Sequence, residues 1–280
     1  MNFALIGAAG YIAPVHMKAI KDTGNTLTSA VDPHDSVGIL DSHFPEAQFF
    51  TEIERFDRHL ERFGNTHYVS ICSPNYLHDA HIRMTLRAGA HAICEKPLVI
   101  NPWNLDALEE FEDKYSHRIY PILQMRYHPG ARRLPSKAKR RRQVLVEYVT
   151  PRGAWYHHSW KGDESKSGGL LMNIGVHIFD LLIWAYGRIL DYDIIRADKC
   201  SVSGILEMEF ADVEWRLAIE GTARRFIDIN SSTHINLAAP IKKSLHLEAY
   251  REILAGNGLS IADARPAIEA VYNVKRLVSA

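Results

Sequence analysis

Phe3-Ala4-Leu5-Ile6-Gly7-Ala8-Ala9-Gly10-Tyr11-Ile12-Ala13 stands almost at the start of the chain. Phe3 to Gly7 is a short apolar run of buried-strand length. Gly7 to Ala13 fits G-x-x-G-x-x-A, a relaxed form of the dinucleotide fingerprint. Tyr11 to Lys21 then has helical spacing, with Ile12, His16, Ala19 and Ile20 on one side. Small residues at such a turn let backbone N–H groups approach a pyrophosphate at the helix N-terminus. Read alone, the same glycine pair also serves plain packing of strand against helix. Asp32 adds to the nucleotide reading. It closes a second apolar run, Leu27 to Asp32, at 22 residues past Gly10, where a carboxylate accepts hydrogen bonds from the adenosine ribose. The same charge opposes a 2′-phosphate, and no arginine adjoins it, so NAD is expected over NADP.

Outward from this unit the pattern repeats. Glu52 to Phe63 is helical, with Ile53, Phe56, Leu60 and Phe63 as an apolar stripe. Tyr68 to Cys72 is a strand that stops at Ser73-Pro74-Asn75, a turn signal. A helix over Tyr76 to Ala88, a strand over His91 to Cys94 and a helix over Leu105 to Tyr115 follow. Such alternation predicts a parallel sheet covered on both faces. After residue 122 the period changes. Val144 to Val149, Tyr192 to Ala197, Ser203 to Phe210 and Val213 to Glu220 are longer runs, and Leu206-Glu207-Met208-Glu209-Phe210 alternates with period two. That predicts a largely antiparallel sheet. A helix from Gly168 to Tyr186 interrupts it, and helices over Ser244 to Ala255 and Ile261 to Val278 close the chain. The fold class expected is α/β, with an N-terminal Rossmann domain (1–122) and a C-terminal α/β domain with a largely antiparallel sheet (123–280).

The chain has 280 residues, 46% of them hydrophobic, and no formal net charge, which argues against a general nucleic-acid binder. One basic run, Arg132, Arg133, Lys137, Lys139, Arg140, Arg141 and Arg142, reads as a solvated face or as an anion-binding surface. The three cysteines, Cys72, Cys94 and Cys200, form no CxxC and suit a reducing compartment. The N-terminus shows no signal-peptide pattern and no apolar run reaches bilayer length, so a cytoplasmic protein is expected.

Three further groups carry chemistry. Glu95-Lys96-Pro97 ends a strand on the side where such sheets bind ligands; a surface Glu-Lys pair is the bland alternative. Gly168-Gly169 opens an apolar helix bearing Asn173, His177 and Asp180, so that Asn173 and His177 share a face. A lone helical histidine is also a common core residue. Trp155, Tyr156, His157, His158, Trp160 and Lys161 form either an aromatic core edge or a stacking, anion-binding wall. No set of Cys, His and carboxylates has zinc spacing.

Taken together these residues resemble the Gfo/Idh/MocA oxidoreductase family over essentially the whole chain. Gly7 to Ala13, Ser73-Pro74-Asn75-Tyr76-Leu77-His78, Glu95-Lys96-Pro97 and the Gly168 to Asp180 helix fall in that family's order. Asn173 replaces an aspartate common in the family. With Ser159-Trp160-Lys161-Gly162-Asp163 and Glu252-Ile253-Leu254-Ala255-Gly256, it is similar to the UDP-N-acetyl-2-amino-2-deoxyglucuronate dehydrogenase branch. The resemblance implies NAD-dependent oxidation of the 3-hydroxyl of a UDP-linked N-acetylated uronate, in lipopolysaccharide or O-antigen sugar synthesis. It implies Lys96 and His177 as catalytic residues. Gly7, Ala9, Gly10, Tyr11, Ile12, Asp32, Ser73, Asn75, His78, Glu95, Lys96, Gln124 and Trp160 would meet the cofactor. Lys96, Arg126, Arg152, Trp155, Tyr156, Lys161, Asn173 and His177 would meet the UDP-sugar. A homo-oligomer, dimer or tetramer, is implied, with no nucleic-acid or membrane partner. Imidazole suits the base, because its ordinary pKa of about 6.5 lies near the working pH.

Overall fold

The computed structural model describes residues 1–134, 140–241 and 244–279. The chain divides into two compact units. One comprises Met1–Val99, Trp103–Ile122 and Lys243–Asp263; the other comprises Ile100–Pro102, Leu123–Lys242 and Ala264–Ala280. A single boundary at 122 therefore leaves out two features: residues 100–102 cluster with the C-terminal unit, and the stretch from 243 to 263 clusters with the N-terminal unit.

The first unit runs β1 (Asn2–Ile6), α1 (Ala13–Asp22), β2 (Thr26–Val31), α2 (Ile39–His43), β3 (Gln48–Phe50), α3 (Ile53–Phe63), β4 (Tyr68–Ile71), α4 (His78–Arg87), β5 (His91–Cys94), α5 (Trp103–Tyr115) and β6 (Ile119–Pro121). Its strands lie in the order β3-β2-β1-β4-β5-β6, and every neighbouring pair is parallel. The order reverses between β1 and β4. In a doubly wound sheet that switch point, at the carboxyl ends of the strands, is where a ligand lies. All four residues of β4 are buried, as expected for a strand covered on both faces. The apolar stripe of α3 is shorter than its sequence suggests. Phe56 and Leu60 are buried, but Phe63 is 58% exposed, because the helix stops beside it at left-handed Gly64. The Phe63 ring lies instead against His59, with 4.7 Å between centroids.

The second unit holds β7 (Arg142–Val149), α6 (Trp155–His158), α7 (Glu164–Ser167), α8 (Val176–Tyr186), β8 (Ile189–Ala197), β9 (Ser201–Met208), β10 (Ala211–Ala218), β11 (Arg224–Ile229) and β12 (Thr233–Asn236). The sheet order is β12-β11-β7-β10-β9-β8. Only β7 and β10 run parallel; the other neighbours are antiparallel. Along β10, Ala211, Val213, Trp215 and Leu217 are buried and Glu214 and Arg216 are exposed, the alternation its sequence predicts. α8 packs on the buried face, where the Phe179 and Trp215 rings meet edge to face at 5.3 Å.

The helical stretch Glu164–Tyr186 is long and apolar enough to cross a bilayer by composition, although no apolar run of that length was expected. Its apolar window is 72% buried inside the protein, so this apolarity supplies core contacts. The chain ends with α9 (Leu245–Leu254) and α10 (Ile261–Ser279). Of the basic run, Arg141 pairs with Asp212 on β10 and Glu207 on β9, while Lys137 and Lys139 lie outside the described residues.

Candidate active site

The nucleotide cradle forms where β1 ends. Gly7 has φ +88°, and a Cβ there would lie 2.7 Å from the Cys72 carbonyl carbon. Glycine is required twice over, for the left-handed backbone and for the close approach of the loop after β4. At Gly10 a Cβ would lie 3.0 Å from the Gly7 carbonyl oxygen. α1 begins at Ala13 with no side-chain cap and no acidic residue in its first turn, so its positive end faces the fingerprint loop uncompensated. Asp32 is 7% exposed. Its Oδ2 accepts from Ala9 N–H at 3.0 Å and its Oδ1 from His34 N–H at 2.9 Å. The carboxylate thus shapes the fingerprint loop, and its remaining lone pairs suit ribose hydroxyls. Tyr11 stands 89% exposed on that loop. These features fit a dinucleotide. Replacing Asp32 by alanine removes both interactions, so NAD affinity should fall about 10- to 100-fold. NADP should lose much less, because its phosphate no longer faces a carboxylate. Titration of both cofactors into the two proteins measures the narrowing.

The loops after β4 and β5 are tied together. His78 is fully buried; its Nδ1 lies 2.7 Å from the Pro97 carbonyl and its Nε2 lies 2.9 Å from the Ser73 carbonyl. Burial lowers its pKa and the two carbonyls oppose that shift. An enclosed ring offers a nucleotide no surface, so its contribution is to hold Ser73 and Pro97 in place. Ser73 Oγ bonds His81 Nδ1 at 2.8 Å, and burial drives His81 down to about 4. Asn75 is 4% exposed on the same turn.

Glu95 does not face solvent. Its Oε1 accepts from His16 Nε2 at 3.0 Å and from His246 Nε2 at 2.7 Å, and its Oε2 accepts from Lys96 N–H at 3.3 Å. Burial pushes its pKa up, but the imidazole hydrogen bonds outweigh this and hold the carboxyl well below its usual range. His16 Nδ1 continues to Tyr250 Oη at 2.8 Å, and Tyr250 Oη to Ser70 Oγ at 2.6 Å. By sequence His16 falls on the inner face of α1 with no role attached. His246 and Tyr250, which share one face of α9 at i and i+4, carry no local signal of their own.

In the second unit, Gly168 (φ +83°) and Gly169 (φ +80°) follow α7 in succession. Both supply left-handed backbone where the short helix α7 ends and the next helical turn begins. Residues Leu171–Gly175 then form a π-helical turn that runs straight into α8. Such turns are frequent at functional sites. A Cβ on Gly175 would lie 2.8 Å from Leu217 Cδ1, so the turn sits tightly on β10. Asn173 lies in this turn at 7% exposure and His177 in the first turn of α8 at 9%. Asp180 is held by Arg126: Nη2 reaches Oδ1 at 2.7 Å, and Nε reaches Oδ1 at 3.2 Å and Oδ2 at 3.1 Å. That forked pair ties the turn Gln124–Tyr127 to α8, and it commits much of the Arg126 charge that sequence reading assigned to substrate. Gln124 Oε1 is buried with no hydrogen-bond partner among the described residues, which fits an amide-bearing ligand.

The aromatic cluster divides by role. Tyr156 is 3% exposed and packs with Ile174 and Ile219, as a core residue does. Trp155 is 52% exposed. Lys161 Nζ stands 5.7 Å from the Trp155 ring and 5.6 Å from the Trp160 ring, and Arg152 stands 6.0 Å from the Tyr156 ring. Tyr156, Lys161, Gly168 and Gly169 border a cleft of about 440 Å3 that Lys199 and Lys275 also line. Glu164 and Asp198 line it too, and Lys275 Nζ pairs with Glu164 Oε1 at 2.9 Å, so Lys161 and Lys199 are the lining cations that suit a ligand carrying phosphate or carboxylate.

Residues 1–122 match the family model described as Gfo/Idh/MocA, "Oxidoreductase family, NAD-binding Rossmann fold". Residues 142–194 match that family's "C-terminal alpha/beta domain". Among solved structures, the WlbA (WbpB) dehydrogenase from Thermus thermophilus in complex with NAD and UDP-GlcNAcA is 43% identical, with a TM-score of 0.91 over 97% of this chain and 93% of that one. The same Thermus protein in complex with NAD and alpha-ketoglutarate is 42% identical, with a TM-score of 0.91 over 96% and 92% of the two chains. Escherichia coli (strain K12) D-glucoside 3-dehydrogenase is 31% identical over 209 residues, or 67% of this chain and 54% of that protein. The chain thus spans about half the length of that curated relative.

Proposed function

The chain belongs to the Gfo/Idh/MocA oxidoreductase family, and on that premise we propose that it oxidises the 3-hydroxyl of UDP-2-acetamido-2-deoxy-D-glucuronate to the 3-keto sugar, with NAD as hydride acceptor. One observation carries this reading: 43% identity over nearly the whole chain to the Thermus dehydrogenase whose structure holds NAD and UDP-GlcNAcA. The position on the sugar is supported by the Escherichia coli relative, a 3-dehydrogenase of D-glucosides. Asn173 supports the nucleotide sugar over a free polyol, since an amide there adds no negative charge to a site taking an anionic ligand.

When bound, NAD takes up the hydride that leaves C3. The chain's residues manage the rest. Gly7, Ala9, Gly10 and the N-terminus of α1 hold the pyrophosphate, and Asp32 holds the adenosine ribose. His177, as general base, takes the proton of the 3-hydroxyl as the C–H bond breaks. Lys96 donates a hydrogen bond to that oxygen and offsets its growing negative charge. Asn173 orients the sugar, and Lys161 with Arg152 meets the diphosphate or the uronate. For renewing NAD, 2-oxoglutarate is the candidate oxidant, being the second molecule found with NAD in the Thermus relative. A cytoplasmic homo-oligomer in bacterial polysaccharide sugar synthesis fits these substrates.

UDP alone should bind and compete with the sugar nucleotide, because the uracil and diphosphate supply much of the contact. Calorimetry with UDP, and inhibition of NADH formation by UDP, measure this. No UDP binding, with turnover of a free D-glucoside instead, transfers the assignment to the glycoside reading.

A further inference from the structure

We propose that His16, Tyr250 and His246 are positioning residues for Lys96: they fix the Glu95 side chain, and Glu95 fixes the lysine's loop. The inference rests on the reading that Lys96 works on the reacting oxygen.

One proton arrangement satisfies every group in the network. Ser70 donates to Tyr250, Tyr250 donates to His16 Nδ1, and His16 Nε2–H and His246 Nε2–H both donate to Glu95 Oε1. Glu95 Oε2 is left to accept from Lys96 N–H. Ser70, His16 and Tyr250 are 0% exposed, His246 is 6% and Glu95 is 7%. A carboxylate this deep is costly unless donors surround it. Plain packing of α9 would call for apolar side chains here. Instead α9 brings an imidazole to the carboxylate beside the lysine and a phenol to the second imidazole, which α1, following the fingerprint, supplies. Catalytic loop and nucleotide helix are thereby joined through a single anion.

Several titratable groups around Glu95 are uncharged near pH 7. Burial raises the pKa values of Cys72 and Cys94 and of Tyr250, so all three stay protonated. Burial lowers those of His16 and His78, so both are neutral near pH 7. Lys96 lies adjacent, and His246 faces the same oxygen. When a donor is removed, burial dominates and the Glu95 pKa rises. Its anion is then lost as the pH falls through the raised value.

The test is the pH dependence of NADH formation from NAD and the UDP-sugar in wild type, His246→Leu and His246→Gln, a glutamine amide being able to replace the imidazole N–H. His246→Leu should gain an acidic limb in kcat/KM displaced upward by about one to two pH units, and should recover at mildly alkaline pH. His246→Gln should restore the wild-type profile. A purely structural defect lowers activity alike at every pH, and that result overturns the proposal, as does an unchanged profile in His246→Leu. A second readout needs no turnover. The infrared band of a protonated carboxylic acid should titrate in His246→Leu and vanish when Glu95→Gln is added. Its absence from His246→Leu overturns the proposal. An equimolar metal retained by the purified wild type also overturns it, because the cluster would then be a ligand set. A wild type inactive on the UDP-sugar refutes the functional reading alone, and the infrared result still decides the role of the network.

Discussion

His177→Ala and Lys96→Ala are each expected to fold, to bind NAD and to lose turnover by about 10²–10⁴-fold. The two losses should not multiply in the double variant if both groups serve one oxygen, as proposed. The alternative for His177 is a core role, and its 9% exposure makes that alternative concrete. The outcomes separate when NADH formation and melting temperature are measured on the same samples. A core histidine replaced by alanine lowers stability and spares turnover per folded molecule. A base replaced by alanine does the reverse. Near-normal turnover of folded His177→Ala removes it from the mechanism.

Asp180→Asn should be the most destabilising single change. The Arg126 and Asp180 side chains are 12% and 2% exposed and share a forked ion pair. Deleting one partner of a buried pair costs about 3–5 kcal/mol, because the other charge stays buried without compensation. For a chain of this size that is a fall of about 6–20 °C in melting temperature. Replacing both by apolar residues, Arg126→Met with Asp180→Leu, should recover most of it. The same pair tests the substrate assignment of Arg126. If Arg126 instead acts on substrate, Arg126→Met should raise KM for the UDP-sugar sharply, even beside Asp180→Leu.

The first unit was legible because its signals are local. Apolar runs such as Phe3 to Ile6, the turn Ser73-Pro74-Asn75 and the spacing from Gly10 to Asp32 each act within a short stretch of chain. The alternation of Leu206 to Phe210 likewise announced an antiparallel sheet. Short elements escaped: β3 and β6 are three residues each, too few for a period to register. β11, Arg-Arg-Phe-Ile-Asp-Ile, mixes charge with apolar residues because it carries one wet face. The site shows the same contrast. Glu95-Lys96-Pro97 and Asn173 with His177 stand out as words in the sequence. The partners of Glu95 do not, since His16 is 79 residues away and His246 is 151 away. An amphipathic pattern over Leu245 to Leu254 says that one face is covered, and it does not say by which sheet.

The most direct measurement is NADH formation by the purified protein with NAD and UDP-2-acetamido-2-deoxy-D-glucuronate, followed with and without 2-oxoglutarate, beside free D-glucosides and myo-inositol as alternative substrates. Oxidation of the UDP-uronate at C3, recognised by NMR of the 3-keto product, is expected with kcat/KM far above that for any free sugar. Turnover of a free glucoside or inositol with no reaction of the UDP-uronate would contradict it.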